Sequence, residues 1–224
     1  MIPVFIFDLD EDLFRYNLPK NVFVLNMEQM SIQMRYNIVN QFYTGSYNLL
    51  DYSFAHQTYF PNAQILPYCY NEKEISTLKS YFTGEYKYDI CMIGCNSVAR
   101  WNIFTELSRK GVKMVNAEGW SEDRDRKVAE SKILLNLHFQ DNYQIYEHLR
   151  CDRWMFTGKL IISEKSHNSD KLLVENVYFY EYKDIVTKCL RHLQEFDTTA
   201  IKSCESIIAE RNKSRSDFIS KYDN

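Results

Sequence analysis

Two stretches of the chain place chemically capable side chains where apolar runs stop. The first is Asp8-Leu9-Asp10, which closes the run PVFIFD at 3–8. Carboxylates spaced this way can share a divalent cation, with one Asp attacking a phosphorus and the next moving the proton. Glu11 and Asp12 follow where that chemistry needs a small residue and a hydroxyl, and no Gly-Asp-x-x-x-Asp motif comes later in the chain. A solvated strand end is the plainer reading. The second stretch is 131–164. Its first apolar run ends in Asn136 and His138, an amphipathic segment carries Glu147 and Arg150, and a second run ends in Ser163 and Glu164. Glu147 and Arg150 are three apart and share a helix face. An intrahelical ion pair is the plain reading of that spacing, and it stabilises little. The alternative is a carboxylate that accepts from ribose hydroxyls beside a guanidinium that meets a diphosphate with two parallel N–H groups.

Two more motifs bear on phosphate. Gly94-Cys95-Asn96-Ser97 forms a turn between an apolar run and a helical segment, with Arg100 one turn in. A glycine turn exposes backbone N–H groups to a phosphate at the helix start. It lacks the lysine of a Walker A loop and the spacing of GxGxxG; a tight turn capped by Ser97 is the competing reading. Arg124-Asp125-Arg126 opens a later helix, and adjacent residues on a helix point in different directions.

The elements that must position these groups follow from periodicity. Short apolar runs at 3–8, 22–26 and 48–53 read as strands, with a helix over 32–43, a helical turn at 54–60 and an extended piece at 64–70. Glu28 and Asp51 lie at two of those strand ends. A short helix or linker over 72–83 leads to a β-α-β pattern: strand 88–93, helix 98–109 stopped by Gly111, strand 112–115. A helix over 122–131, the unit at 131–164, a strand at 174–179, a helix at 182–193 and a long helix at 198–220 complete the chain. The fold class is therefore α/β, with the second half a parallel, Rossmann-like array of about five strands. In such a sheet, ligands bind at the carboxyl ends of the strands.

Bulk properties narrow the partners. The 224 residues are 45% hydrophobic and 25% charged, enough for a real core. A formal charge of −3 argues against a sequence-independent nucleic-acid surface. The start of the chain has no basic, apolar and small-residue succession of a secretory signal, and no run nears a membrane span. The six scattered cysteines complete no zinc site. The expectation is a reduced, cytoplasmic protein with no membrane span.

In order and spacing, YDICMIGCNSVARWNIFTEL, RDRKVAESKILLNLHF, YEHLRCDRWMFTGKLIISEKS and VYFYEYKDIV resemble glycosyltransferases of the GT-B fold, over roughly 86–190. The shared features are a G-x-x-S-x-R-R-like turn, an arginine–acid pair before a helix, an LN-x-H strand end, an E-x-x-R helix and an S-E strand end. VLNMEQ, LLDYS and LPYCY in the first half resemble that family's acceptor side. The resemblance implies two Rossmann-like halves: a reduced acceptor half at 1–84 and a nucleotide-sugar half at 85–224, whose final helix at 198–220 packs back on the first. It implies transfer of a sugar from a nucleoside-diphosphate donor to a glycan or other acceptor, with no metal or other cofactor. Glu147 would hold ribose, and Arg150 and Arg124 would face the diphosphate. Gly94 and Ser97 would line the cleft, with Arg100 on a phosphate. Asn136, His138, Ser163 and Glu164 would edge the donor, and Glu28 or Asp51 would supply the base. Trp101 stands where the family turn has its second arginine. With so short a first half, pairing with another subunit, as in a homodimer, stays open. So do a Mg²⁺-dependent phosphatase built on Asp8 and Asp10 and a catalytically silent α/β interaction module.

Overall fold

A computed structural model describes residues 4–6, 22–27, 29, 33–44, 48–119, 121–141, 144–167, 169, 172 and 174–221. The chain forms two compact units, residues 1–69 with 210–224 and residues 70–209. Both are α/β, and every strand pairing in them is parallel.

The first unit holds a four-stranded sheet. Its strands are β1 (Val4–Ile6), β2 (Val22–Asn26), β3 (Asn48–Asp51) and β4 (Gln64–Ile65), side by side in that order. Helix α1 (Gln33–Thr44) links β2 to β3. Val22, Val24, Leu49 and Leu50 are buried in the sheet, as continuous apolar runs require when both faces are covered. Strand β3 stops at Asp51, and the Ser53 hydroxyl caps a 3-10 turn over Phe54–Thr58 by accepting from Ala55 N. The extended piece predicted at 64–70 pairs only over Gln64–Ile65; Leu66 N still donates to Asp51 O, and then Pro67 has no N–H to continue. From residue 210 onward the last helix counts with this unit. Arg211 Nη1 donates to Tyr68 O (3.2 Å), and Phe218 packs edge-on against Phe23 at 5.5 Å.

The second unit begins with α2 (Glu72–Ser80), capped by Asn71. The division between units falls before this helix rather than at 84/85. Ile75 and Leu78 of α2 are fully buried, and its Glu74 pairs with Arg153 further along the same unit. Strands β5 (Tyr88–Ile93), β6 (Met114–Ala117), β7 (Ser131–Asn136), β8 (Leu160–Glu164) and β9 (Val177–Tyr180) form one sheet in the order β6-β5-β7-β8-β9. This is a doubly wound order that reverses direction between β5 and β7. Helices α3 (Val98–Arg109), α4 (Glu122–Ala129), α5 (His148–Met155) and α6 (Ile185–Gln194) connect or flank the strands, and α7 (Glu205–Ser220) ends the chain. Ser97 and Ser121 cap α3 and α4 through the N–H groups of Arg100 and Arg124. Ile90, Met92, Ile133, Leu135 and Ile162 form the heart of the core.

Two predicted boundaries move for local reasons. Val112 N closes α3 by bonding Leu107 O, a Schellman-type end, so β6 starts at Met114 rather than at 112. The single helix predicted at 198–220 is broken: a 3-10 turn at Thr198–Ala200 precedes α7. Between them, the Asn176 side chain bonds both N and O of Lys202, which takes those groups away from a helix.

Candidate functional site

The site is the reversal point of the second sheet, where β5 and β7 end side by side. Gly94 turns the chain out of β5 with φ +108, a backbone conformation that L side chains rarely adopt, and its N–H donates to Ala117 O (3.1 Å). The Ser97 cap then starts α3 and turns Arg100 inward, to 3% exposure. Arg100 Nε and Nη2 both donate to Leu137 O (3.0 and 2.5 Å), and Nη1 donates to Cys95 O (2.6 Å). One guanidinium thus joins the end of β5 to the end of β7. It also lies 5.7 Å from the Phe139 ring centroid. Among the described residues, no carboxylate pairs with it.

Arg150, in the first turn of α5, reaches the same point. A Cβ built on Gly94 would lie 2.7 Å from Arg100 Nη1 and 3.3 Å from Arg150 Nη1. Arg150 Nη1 is buried and has no hydrogen-bond partner among the described residues. Burial lowers the Arg100 pKa to about 10, the Arg150 guanidinium pushes it the same way, and Glu147 pulls it back. Two cations brought together, Arg100 buried and Arg150 half-buried, favour an anion between them.

The ends of β7 and β8 are tied together beside this point. Ser163 Oγ donates to Glu164 O (3.0 Å), so it must accept from Asn136 Nδ2 (3.0 Å). That fixes the orientation of the amide and leaves Asn136 Oδ1 buried, with no donor among the described residues. His138 N donates to Glu164 Oε2 (2.9 Å), and its ring Nε2 lies 3.2 Å from Lys165 O, which assigns the proton to Nε2. Gly94, Ser97, Arg100, Asn136, His138, Ser163 and Glu164 therefore sit at neighbouring carboxyl ends of β5, β7 and β8. Arg150 and Glu147, the residue before α5, join them from the side.

Arg124 is placed differently. It is 4% exposed, and its Nε and Nη2 both donate to Asp125 Oδ1 (2.9 and 2.7 Å), while Nη1 donates to Gly119 O (3.1 Å). Adjacent spacing does not keep this pair apart, because the Arg124 side chain folds along the helix onto its neighbour. Arg153 Nη2 also donates to Asp125 (3.2 Å), and Arg153 Nε lies 2.9 Å from Glu74. These four charges brace α2, α4 and α5.

Of the first-half candidates, Asp51 is fully buried. It accepts from Asn26 Nδ2 (2.7 Å), Ser53 N (2.8 Å) and His56 Nδ1 (2.8 Å). A general base needs an oxygen within reach of substrate; in this arrangement Asp51 instead holds the strand end and His56. Glu28, Asp8 and Asp10 lie outside the described residues. No group of three or more metal-ligating side chains, and no helix long and apolar enough to cross a membrane, occurs among the described residues.

Sequence reasoning missed a second buried acid–imidazole pair. His148 Nδ1 lies 2.8 Å from Asp152 Oδ2, with the Tyr146 ring edge-on to the imidazole at 4.7 Å. The i,i+4 spacing on α5 was its available signal.

No protein-family profile matches the chain. It is 32% identical over 195 residues to an uncharacterized protein of Acanthamoeba polyphaga mimivirus, an alignment covering 84% of this chain and 64% of that protein. Two further uncharacterized proteins of the same virus align at 29% over 213 residues and 31% over 201 residues. Those alignments cover 92% and 86% of this chain but only 24% and 28% of the relatives. The chain thus spans under two thirds of one relative's length and about a quarter of the other two.

Proposed function

We propose that the chain is a metal-independent glycosyltransferase of GT-B type, and that its second unit takes a nucleoside-diphosphate sugar. The observation that carries this reading is the convergence of Arg100 and Arg150 on Gly94, with a buried N–H of Arg150 left unanswered. A diphosphate supplies both the charge and the acceptor oxygens that this point lacks. Sugar transfer leaves negative charge on that diphosphate, and cations fixed in advance in a dry site stabilise it as it forms. Glu147 accepts from the ribose hydroxyls, and the buried Asn136 Oδ1 accepts from a hydroxyl or amide of the donor. Ser163 and Glu164 hold Asn136 and His138 in place. The first unit, with its parallel sheet, takes the acceptor side. Since Asp51 is fully buried among three donors, Glu28 is the better candidate for the base.

Calorimetric titration of the chain with UDP-, GDP- and dTDP-sugars tests the donor site. At least one should bind with a sub-millimolar Kd, and Arg150→Met should weaken it by about tenfold or more, the loss of a charge-assisted hydrogen bond. Failure of all three donors to bind would sink the proposal. So would equal binding by the variant.

A further inference from the structure

Two turns at the carboxyl edge of the second sheet are built alike. In each, a serine caps the following helix by accepting from the N–H of an arginine three residues on: Ser97 with Arg100, and Ser121 with Arg124. In each, that arginine is buried and its Nη1 donates back to the carbonyl two residues before the serine, Cys95 O at 2.6 Å and Gly119 O at 3.1 Å. The Gly94 N–H joins the first turn to the end of β6 by donating to Ala117 O (3.1 Å). The backbone on either side of Asn96 and Glu118 is therefore held in place.

Between these turns stands a polar group that the donor site described above does not use. Asn116, near the end of β6, offers its amide nitrogen to two acceptors, Asn96 Oδ1 at 3.2 Å and Glu118 Oε1 at 2.8 Å. A carboxylate only accepts, so Asn116 must turn its nitrogen toward Glu118. That nitrogen cannot itself accept, so Asn96 must turn its oxygen inward. The Asn96 amide nitrogen and the second Glu118 oxygen are left over. Both belong to exposed side chains that make no other side-chain hydrogen bond among the described residues. A donor beside a charged acceptor, open to solvent, suits neither a phosphate, which Glu118 repels, nor a cation, which the Asn96 N–H groups repel. It suits two neighbouring hydroxyls, since each of them both donates and accepts.

The sheet order puts β6 on the far side of β5 from β7 and β8, whereas α5, which carries Arg150 and follows Glu147, joins β7 to β8. We infer that Asn96 and Glu118 form the subsite for the transferred sugar, an inference that rests on the donor reading above. With the diphosphate at Gly94 and the ribose toward Glu147, the sugar lies at β6. Asn96 Nδ2 donates to one ring hydroxyl and Glu118 accepts from the next, while Asn116 holds both side chains in position. The substrate class is a sugar that keeps two adjacent free hydroxyls.

Calorimetry of each sugar nucleotide against its own nucleoside diphosphate tests this: UDP-glucose with UDP, GDP-mannose with GDP, and dTDP-glucose with dTDP. In at least one pair the sugar should tighten binding by about tenfold or more, the contribution of a hydrogen bond to a charged group. Glu118→Ala should lose that advantage and keep the parent's affinity for the bare diphosphate, which also shows that the variant folds. Asn96→Ala should act in the same direction by a smaller factor. A sugar that adds no affinity in the parent chain overturns the subsite. So does a Glu118→Ala variant that keeps the advantage, or that weakens sugar nucleotide and diphosphate equally. Each of these results leaves the diphosphate site at Gly94 standing, whereas binding of none of these compounds removes both.

Discussion

Arg100 and Arg150 direct their Nη1 atoms at the same glycine, 2.7 and 3.3 Å from where its Cβ would be. Like charges so close, with Arg100 almost wholly out of water, repel each other. They are held by different means. Arg100 is fixed by three hydrogen bonds to carbonyls, whereas Arg150 has a buried N–H still unmet. Arg100 therefore builds the site, and under the proposed function Arg150 serves the donor.

That division predicts opposite results for two similar substitutions. Arg100→Met leaves Leu137 O and Cys95 O unanswered and should lower stability by about 2–3 kcal/mol, the cost of stranding buried polar groups. Arg150→Met removes a repulsion and should leave the unfolding free energy within about 0.5 kcal/mol of the parent, as substitutions that break no buried pairing do. Its effect should appear in donor affinity. Urea denaturation of both variants beside donor titration checks the split.

Gly94→Ala combines two penalties. The φ of +108 strains any side chain, and the new methyl would meet Arg100 Nη1 at 2.7 Å. A cost of about 1–3 kcal/mol in urea unfolding is expected from the backbone alone. Donor binding should fall further than stability does, because Arg100 must move to clear the methyl.

Asp51→Asn tests the first unit. Asp51 accepts three donors without touching solvent, so an amide in its place turns at least one donor contact repulsive. A loss of roughly 3 kcal/mol is expected, typical of a broken buried charge interaction. A variant with unchanged stability and lost activity would return Asp51 to the role of base.

Much of this site was legible in the sequence, because it lies where apolar runs stop. Asn136, His138, Ser163 and Glu164 were found by that rule, and Ser97 and Ser121 announced helix starts by residue type alone. What escaped were contacts between elements. Nothing in the spacing says that Arg124 lies on Asp125, or that Arg153 joins Asp125 to Glu74 on another helix. Nor could it show that α2 belongs with the second sheet, because Ile75 and Leu78 look like any helix face until their covering is known. The break before α7 escaped for a similar reason: it depends on Asn176, which binds Lys202 from a distant strand entry.

Cys95 reports on occupancy. It is exposed beside the turn, and its carbonyl holds Arg100. Cys91, Cys151 and Cys189 are buried, and burial raises their thiol pKa values, those of Cys91 and Cys189 to about 12. Iodoacetamide at neutral pH should therefore modify Cys95 well before these three, since only the thiolate reacts. A bound nucleotide sugar should slow that reaction several-fold, read by mass spectrometry of the peptide. Unchanged labelling at saturating donor would mean that the donor does not sit at Gly94.

Lys159 should leave a mark on the pH dependence of stability. Burial lowers its pKa to about 8, with the Cys91 thiol as a weaker opposing influence. In the unfolded chain a lysine titrates near ~10.4. Below about pH 8 both states carry the proton and the penalty of the buried charge is complete. Between the two values the unfolded state binds more protons, so stability rises with pH. The buried thiols act in the opposite sense over the same range, because the unfolded chain loses their protons around the ordinary thiol value of 9.0, so the contribution of Lys159 is read as the difference between the parent and Lys159→Met. From about pH 7.5 to about pH 9 the chain should gain about 1 kcal/mol from this group. Lys159→Met should lose that rise, whatever its absolute stability. Urea unfolding of both proteins across the window decides the matter, and parallel curves would mean that Lys159 titrates as an ordinary lysine.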